Sequence, residues 1–331
     1  MTEREAEDRL WLPATEMAAA GGVRRAAVAL GSEAALSPPA LGDLAIIATE
    51  ISTNLARHAE QGVVLLRLVR SGDAAGVEIV AVDRGPGMHD FEKSTVDGYS
   101  TGGTLGIGLG AIARMATELD AYSQVGPGTV LAASIWSAPV PPPWYAGACR
   151  PFTGESLCGD AYAVREVRGR RQLMLCDGLG HGPLAAMAAQ AAVAAFRAAP
   201  VAGPKEVLAY LHERLASTRG AVIAVAEVDT DDEEVRFCGV GNVSAVVCGP
   251  SRRAMVSLPG IAGQQKRDLR EFVYPLPPGS LIVLHSDGLT ERWSLDDYPG
   301  LSGRAPIVIA ATLLRDAGKR RDDAAVLVAR P

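Results

Sequence analysis

Aromatic residues make up only 5% of this 331-residue chain, so its core has to be built mainly from Ala, Val, Leu and Ile. No apolar run approaches the roughly 20 residues that a bilayer-spanning helix needs, and the charged opening Thr2 to Arg9 is not that of a signal peptide. No membrane partner is expected, and the expected location is cytoplasmic. Positive charge is also short: 32 basic against 38 acidic residues leave a net charge of -6, which argues against nucleic acid as a partner. The 5 cysteines show no CxxC spacing, so they fit free thiols in a reducing compartment and argue against a zinc cluster. The Cys-x5-Arg loop of a cysteine phosphatase is missing, as is the GKS/T ending of a Walker loop.

What is present is 48% hydrophobic and 21% charged residues, ordinary for a globular protein, over a length that suggests two domains. The run Ser137-Ala138-Pro139-Val140-Pro141-Pro142-Pro143, continuing to about Pro151, cannot sustain a helix or strand. It is therefore expected to be a linker over 137–151 between domains at 1–136 and 152–331. In the first half, helices are expected over Met17–Leu30 (interrupted by Gly21-Gly22), Leu41–His58 and Gly108–Leu119, with strands at Val63–Val69, Val77–Val82 and Val130–Trp136. In the second half, strands are expected at Leu173–Cys176, Ala221–Val228, Val235–Val240, Val243–Cys248, Leu281–His285 and Ala324–Ala329. Helices should follow Pro183 and Pro204. The fold class is α+β.

Within Leu41–His58, Leu44, Ile47, Ile51 and Leu55 form an apolar stripe, which leaves Glu50, Asn54, Arg57 and His58 together on the opposite face. An Asn with a Glu one turn earlier can hold a cation and activate a hydroxyl; it can equally be a solvated face. Asp83, at a strand end before Gly85 and Gly87, can accept a hydrogen bond from a purine amino group, or it can sit in an ordinary turn. The run Gly102-Gly103-Thr104-Leu105-Gly106-Ile107-Gly108-Leu109-Gly110 enters a helix, and backbone amides at such an N-terminus bind anions.

These blocks, in this order, resemble the N, G1 and G2 boxes of the GHKL ATPase/kinase superfamily. Asp97-Gly98-Tyr99-Ser100-Thr101-Gly102-Gly103 and Gly128-Thr129 are similar to its anti-sigma switch kinases of the RsbT type. The resemblance covers about Leu41 to Trp136 and implies a GHKL (Bergerat) α/β sandwich binding ATP with Mg²⁺. Asn54 would ligate the Mg²⁺, Glu50 would activate the acceptor hydroxyl and Asp83 would bind adenine. Gly85, Gly87, Gly106, Gly108, Gly110 and Thr129 would surround the nucleotide. Ser52-Thr53 stand where that branch usually carries Ala-Arg.

In the second half, Leu173-Met174-Leu175-Cys176-Asp177-Gly178-Leu179-Gly180-His181-Gly182 delivers a carboxylate at the end of an apolar strand, followed by a glycine-rich turn. Leu281-Ile282-Val283-Leu284-His285-Ser286-Asp287-Gly288 repeats that logic. Gly154-Glu155 and Gly159-Asp160 precede these stretches, and Arg321-Asp322-Asp323 leads into the last strand. If the acids converge, their mutual repulsion is relieved by hard cations, which prefer oxygen ligands. Two such ions can hold a hydroxide in line with a phosphoryl group, without a protein nucleophile.

This order of blocks resembles the metal-dependent protein phosphatases (PPM), in their SpoIIE-like branch with its RsbX-type members, from about Gly154 to Ala329. The resemblance implies a β-sandwich flanked by helices and two Mn²⁺ or Mg²⁺ ions. Asp177 would bridge them, the Gly178 carbonyl would join one, and Asp287 and Asp322 would complete the other; Asp160 would act directly or through water. Asp323 is either a ligand or a support. His181 either positions substrate or packs beside the metals, and Gly241-Asn242 reads as a structural turn. Together the two resemblances imply a switch protein: a phosphoserine/phosphothreonine phosphatase joined to an ATP-dependent serine kinase domain. The partner would be a STAS-domain anti-sigma antagonist or its phosphorylated form. The alternative is a phosphatase regulated by a GHKL module that only senses ATP or binds a partner.

Overall fold

The computed structural model describes residues 4–94, 108–264 and 268–331. The chain divides into two compact units, one of residues 1–143 and 303–315, the other of residues 144–302 and 316–331.

The first unit opens with β1 (Arg4–Pro13), α1 (Ala19–Glu33) and α2 (Pro38–His58). Then come β2 (Val63–Ser71), β3 (Ala74–Val82), the short α3 (Phe91–Ser94), α4 (Gly108–Met115), β4 (Glu118–Gln124) and β5 (Gly128–Trp136). Its sheet has the order β1-β2-β3-β5-β4, antiparallel throughout. Alternate residues of the central strands (Val64, Leu66 and Leu68; Val77, Ile79 and Ala81) join Leu44, Ile47, Ile51 and Leu55 of α2 in one core. That is the period of two meeting the period of three to four. α2 starts cleanly because the Ser37 side chain accepts from the Ala40 amide and prolines occupy its first turn.

Two strands here lack a hydrophobic signature. β1 is the charged opening segment, an edge strand that leaves most of its residues at least partly exposed. It is held by Arg67, which is fully buried and bridges Asp8 and Glu78 at 2.6 and 2.7 Å. The expected helix Gly108–Leu119 ends at Met115, and Glu118 and Leu119 begin β4 instead, as the chain turns back to pair with β5.

The second unit holds β6 (Tyr145–Arg150), β7 (Asp160–Val167), β8 (Arg170–Gly178), α5 (Pro183–Ala198), α6 (Pro204–Arg214), β9 (Ala221–Asp229) and β10 (Glu234–Val240). It continues through β11 (Ser244–Cys248), β12 (Arg252–Met255), β13 (Ser257–Leu258), β14 (Phe272–Pro275) and β15 (Leu281–His285). After α7 (Pro306–Ala317), β16 (Ala324–Ala329) closes it. One sheet has the order β13-β10-β9-β8-β7, with β14 also on β10; the other has the order β12-β11-β15-β16-β6. The sheets share a core in which Leu173, Leu175, Ala224 and Phe237 meet Ile282, Leu284, Ala325 and Leu327. α5 and α6 cover the outer face of the first sheet through Ala189, Ala192, Phe196, Val207 and Leu211. This is the expected sandwich flanked by helices.

The expected linker 137–151 needs correction. Tyr145–Arg150 is β6, paired along its length with β16, because the prolines stop at Pro143 and the residues after it can enter a ladder. Residues 303–315, from far along the chain, group with the first unit by compactness. Asp120 receives that segment: its carboxylate accepts from the Ala305 amide at 2.6 Å and from Arg304 Nη1 at 3.2 Å. An acid there favours the start of α7 through the helix dipole.

Candidate functional sites

In the first unit, α2 presents Glu50 and Asn54 half-buried, while Arg57 and His58 are exposed. Gly108, the first residue of α4, lies directly over the pair: a Cβ there would stand 2.7 Å from Glu50 Oε2 and 3.6 Å from the Asn54 amide nitrogen. The expected ligand and base therefore sit under a helix N-terminus. Gly110 is buried within α4, and Gly106 lies outside the described residues.

Asp83 follows β3, and its Oδ1 accepts from the Gly85 amide at 2.7 Å and the Thr129 amide at 3.3 Å. Its Oδ2 has no donor among the described residues, so it is available to an amino group from outside. Burial raises the carboxyl's pKa, against the lowering effect of those amides and of Arg315. Thr129 acts through its backbone, with its hydroxyl 2.8 Å from that of Ser123. Gly87 proves to be a packing requirement: at φ +69°, a Cβ would lie 1.9 Å from the Gln124 carbonyl oxygen. Gly85 is confined in the same way, by the His58 carbonyl at 2.8 Å.

In the second unit, the register of β7 with β8 sets Asp160 directly opposite Asp177. The hairpin's open end is tied by the Gly178 amide donating to the Gly159 carbonyl at 2.9 Å. Gly178 has no room for a side chain, since a Cβ would lie 2.4 Å from the Ala185 carbonyl oxygen. From the other sheet, Asp287 follows β15, and Asp322 and Asp323 precede β16. Ser286 stitches these two ends together, bonding the Ala325 amide through its hydroxyl at 3.0 Å and the Ala325 carbonyl through its own amide at 3.1 Å.

The acids are close enough to perturb one another. Burial, then Asp177, pushes the Asp160 carboxyl well above the usual range. Burial, then Asp287, Asp322 and Asp323, raises Asp177 to about 7. Asp322 is raised by burial and by Asp287. Both residues are only 4% exposed, and one oxygen of each is buried without a hydrogen-bond partner among the described residues: these are Asp160 and Asp323. Buried acceptors without donors are costly, and a divalent cation or an ordered water can satisfy them. Among the described residues no group of three or more His, Cys, Asp or Glu side chains is already arranged to hold a metal ion. Carboxylate oxygens are the donors that hard ions such as Mg²⁺ or Mn²⁺ prefer.

Other side chains complete the surroundings. Asn242 donates its side-chain amide to Asp287, so the turn read as structural orients an acid. Asp323 Oδ1 accepts from the Phe152 amide at 2.7 Å. His181 stacks on Phe152 with centroids 4.8 Å apart and approaches Glu155 at 3.3 Å. Arg219 Nη1 stands 3.0 Å from where a Cβ on Gly180 would be, beside the turn that leaves Asp177. Nothing in the sequence separates this arginine from the others, since its place comes from the Leu179 amide bonding the Gly220 carbonyl at 3.2 Å.

Comparison with known proteins finds a different family in each half of the chain. Residues 12–135 match the histidine kinase-like ATPase domain, and residues 168–331 match stage II sporulation protein E. The chain is 35% identical over 88 residues to the serine/threonine-protein kinase RsbT of Bacillus subtilis (strain 168), covering 27% of this chain and 66% of that kinase. It is 23% identical over 138 residues to the phosphoserine phosphatase RsbX of the same organism, covering 41% of this chain and 69% of that phosphatase. A solved structure described as "The bacterial stressosome: a modular system that has been adapted to control secondary messenger signaling" superposes with a TM-score of 0.52 at 31% identity. The match covers 56% of this chain and 98% of that one. No helix among the described residues is long and apolar enough to cross a membrane. The chain thus joins a GHKL-type histidine kinase-like ATPase domain over residues 12–135 to a phosphatase domain of the SpoIIE family over residues 168–331.

Proposed function

We propose that the second unit removes phosphate from a phosphoserine or phosphothreonine of a protein, using divalent metal. The carrying observation is the convergence of Asp160 and Asp177 from one sheet with Asp287, Asp322 and Asp323 from the other, with buried oxygens left unpartnered. Asp160, Asp177, the Gly178 carbonyl, Asp287 and Asp322 would hold two Mn²⁺ or Mg²⁺ ions. When bound, such ions supply a water acidic enough to act as nucleophile near neutral pH. Asn242 fixes the rotamer of Asp287, and Asp323 anchors the Phe152 backbone at the site's edge. Arg219, beside Gly180 in the turn after Asp177, would pair with the substrate phosphate.

The first unit would bind Mg-ATP: Asp83 Oδ2 would accept a hydrogen bond from the adenine amino group, Asn54 would hold the metal and Glu50 would take the proton of an acceptor hydroxyl. The acceptor would be a STAS-type antagonist in sigma-factor signalling, and its phosphorylated form the phosphatase substrate. Similarity to RsbT and RsbX supports that partner class. A second reading, in which the first unit senses nucleotide without transferring phosphate, is favoured by Ser52-Thr53, which stand where the switch kinases usually carry Ala-Arg.

Hydrolysis of p-nitrophenyl phosphate and of a phosphoserine peptide by the full chain, with and without Mn²⁺, tests the phosphatase. Turnover that needs Mn²⁺ and vanishes in Asp177→Asn is expected; metal-independent turnover, or full activity in the variant, refutes the site. Transfer of radiolabelled phosphate from ATP to a STAS protein, lost in Glu50→Ala, distinguishes kinase from sensor.

A further inference from the structure

Two thiols close the base of the loop that borders the acidic site in the second unit. β6 ends at Arg150, and the chain enters β7 at Asp160. Cys149, in β6, and Cys158, just before β7, hydrogen-bond one another through their side chains. Both are thiols, and both are partly exposed. The loop between them, 150–157, forms the rim of the acids. The Phe152 amide donates to Asp323 Oδ1 at 2.7 Å, and the Thr153 hydroxyl donates to the Arg320 carbonyl at 2.6 Å. Phe152 stacks on His181 at 4.8 Å, and Glu155 approaches the same ring at 3.3 Å. The two ends of the loop are fixed. Cys149 pairs with Ala325 in the ladder with β16, and the Tyr162 hydroxyl of β7 donates to the Gly147 carbonyl at 3.0 Å. At the other end, the Gly159 carbonyl accepts from the Gly178 amide at 2.9 Å, and a Cβ on Gly159 would lie 2.8 Å from Asp323 Oδ2. Held backbones thus keep the two sulfurs together while the loop spans the gap.

The other three cysteines do not compete for either sulfur. Cys176 and Cys238 are fully buried in the core under α5 and α6, where the Cys176 thiol donates to the Ala189 carbonyl at 3.8 Å. Cys248 lies on β11, separated from β6 by β15 and β16. We propose that Cys149 and Cys158 are a redox modification site, at which a hydroperoxide forms a disulfide that clasps loop 150–157 over the rim of the acidic site. One sulfur, as thiolate, attacks a peroxide oxygen; the O–O bond breaks, an alcohol (water, from hydrogen peroxide) leaves, and a sulfenic acid remains. The second sulfur attacks the first, the S–O bond breaks, and that oxygen leaves as water. Two thiols and one hydroperoxide give one disulfide, one alcohol and one water, with two electrons passing from sulfur to oxygen. The sulfurs have only to close from hydrogen-bond contact to about 2.0 Å. A small thiol reductant reverses the step by exchange. Joining the ends of a short loop removes most of its freedom to open, so backbone exchange within it should slow by about tenfold or more.

The test treats the full chain with hydrogen peroxide in EDTA, which removes metal-catalysed oxidation, then alkylates remaining thiols and maps peptides without reductant. Hydrogen exchange is read in parallel over 150–157. A peptide joining Cys149 to Cys158 is expected, together with exchange in the loop slowed about tenfold, both reversed by dithiothreitol. Cys149→Ser and Cys158→Ser should each abolish the bridge and leave the remaining thiol to proceed to sulfinic acid, because no neighbouring thiol intercepts the sulfenic acid. The bridge is read first in the unsubstituted chain, so a variant that folds poorly does not decide the result. Both thiols alkylated after peroxide, sulfinic acid in place of the bridge, or a bridge to another cysteine or another chain overturns the inference. A bridge that leaves exchange over 150–157 unchanged overturns the clasp.

Discussion

Replacing Asp177 by asparagine is expected to stabilise the metal-free protein while destroying its metal site. In the folded chain Asp177 is raised from the ordinary carboxylate value of 3.8 to about 7, by burial and by the charges of Asp287, Asp322 and Asp323. The folded state therefore holds a proton that the unfolded state has released between these two values, and in that window stability falls as pH rises. The contribution is fully present below the unfolded pKa and lost as pH passes through about 7. Over pH 5 to 8 this one group costs the metal-free protein roughly 2–3 kcal/mol. For a unit of this size that is a fall of roughly 5–10 °C in melting temperature. Asparagine carries no charge at any pH, so the variant's melting temperature should fall less. In calorimetric scans with EDTA, the second unit's transition in Asp177→Asn should exceed that of the unsubstituted chain by several degrees at pH 8 and by much less at pH 5. Mn²⁺ should reverse the order, because only the intact site gains binding free energy on folding. A variant that melts no higher than the parent at pH 8 in EDTA, or an offset equal at both pH values, would refute the claim that these carboxylates repel one another.

Three further outcomes follow from the geometry. Asp83→Ala removes the available acceptor and both loop-closing bonds, so ADP affinity measured by calorimetry should drop at least tenfold, roughly the cost of one charged hydrogen bond. Asn242→Ala frees Asp287 without removing any expected ligand; Mn²⁺ affinity measured by electron paramagnetic resonance should weaken about 10- to 100-fold. Gly87→Ala drives a methyl into the Gln124 carbonyl at a positive φ, and should destabilise the first unit by more than about 3 kcal/mol in urea unfolding while the second unit's transition stays in place.

Much of this protein is determined by its sequence alone. The apolar runs ending in Asp177-Gly178 and Asp287-Gly288 mark two strand ends, and the Glu50/Asn54 spacing marks one helix face, because a strand or helix fixes the direction of neighbouring side chains by local geometry. The proline run likewise marks the neighbourhood of the boundary. Local pattern could not supply β1 or β4, whose residues are only partly buried and whose formation depends on β2 and β5 as partners. Nor could it show that Tyr145–Arg150 leaves the linker to pair with β16. The glycines at 85 and 87, legible as a ligand approach, are fixed by carbonyls of His58 and Gln124 that only folding brings near. Asn242 at Asp287, Arg219 beside Gly180 and Arg315 at Asp83 are contacts between residues far apart in the chain. Sequence spacing specifies which side chains share an element. The register of sheets and the docking of α7 decide which elements meet, and those are settled by burial summed over the whole fold.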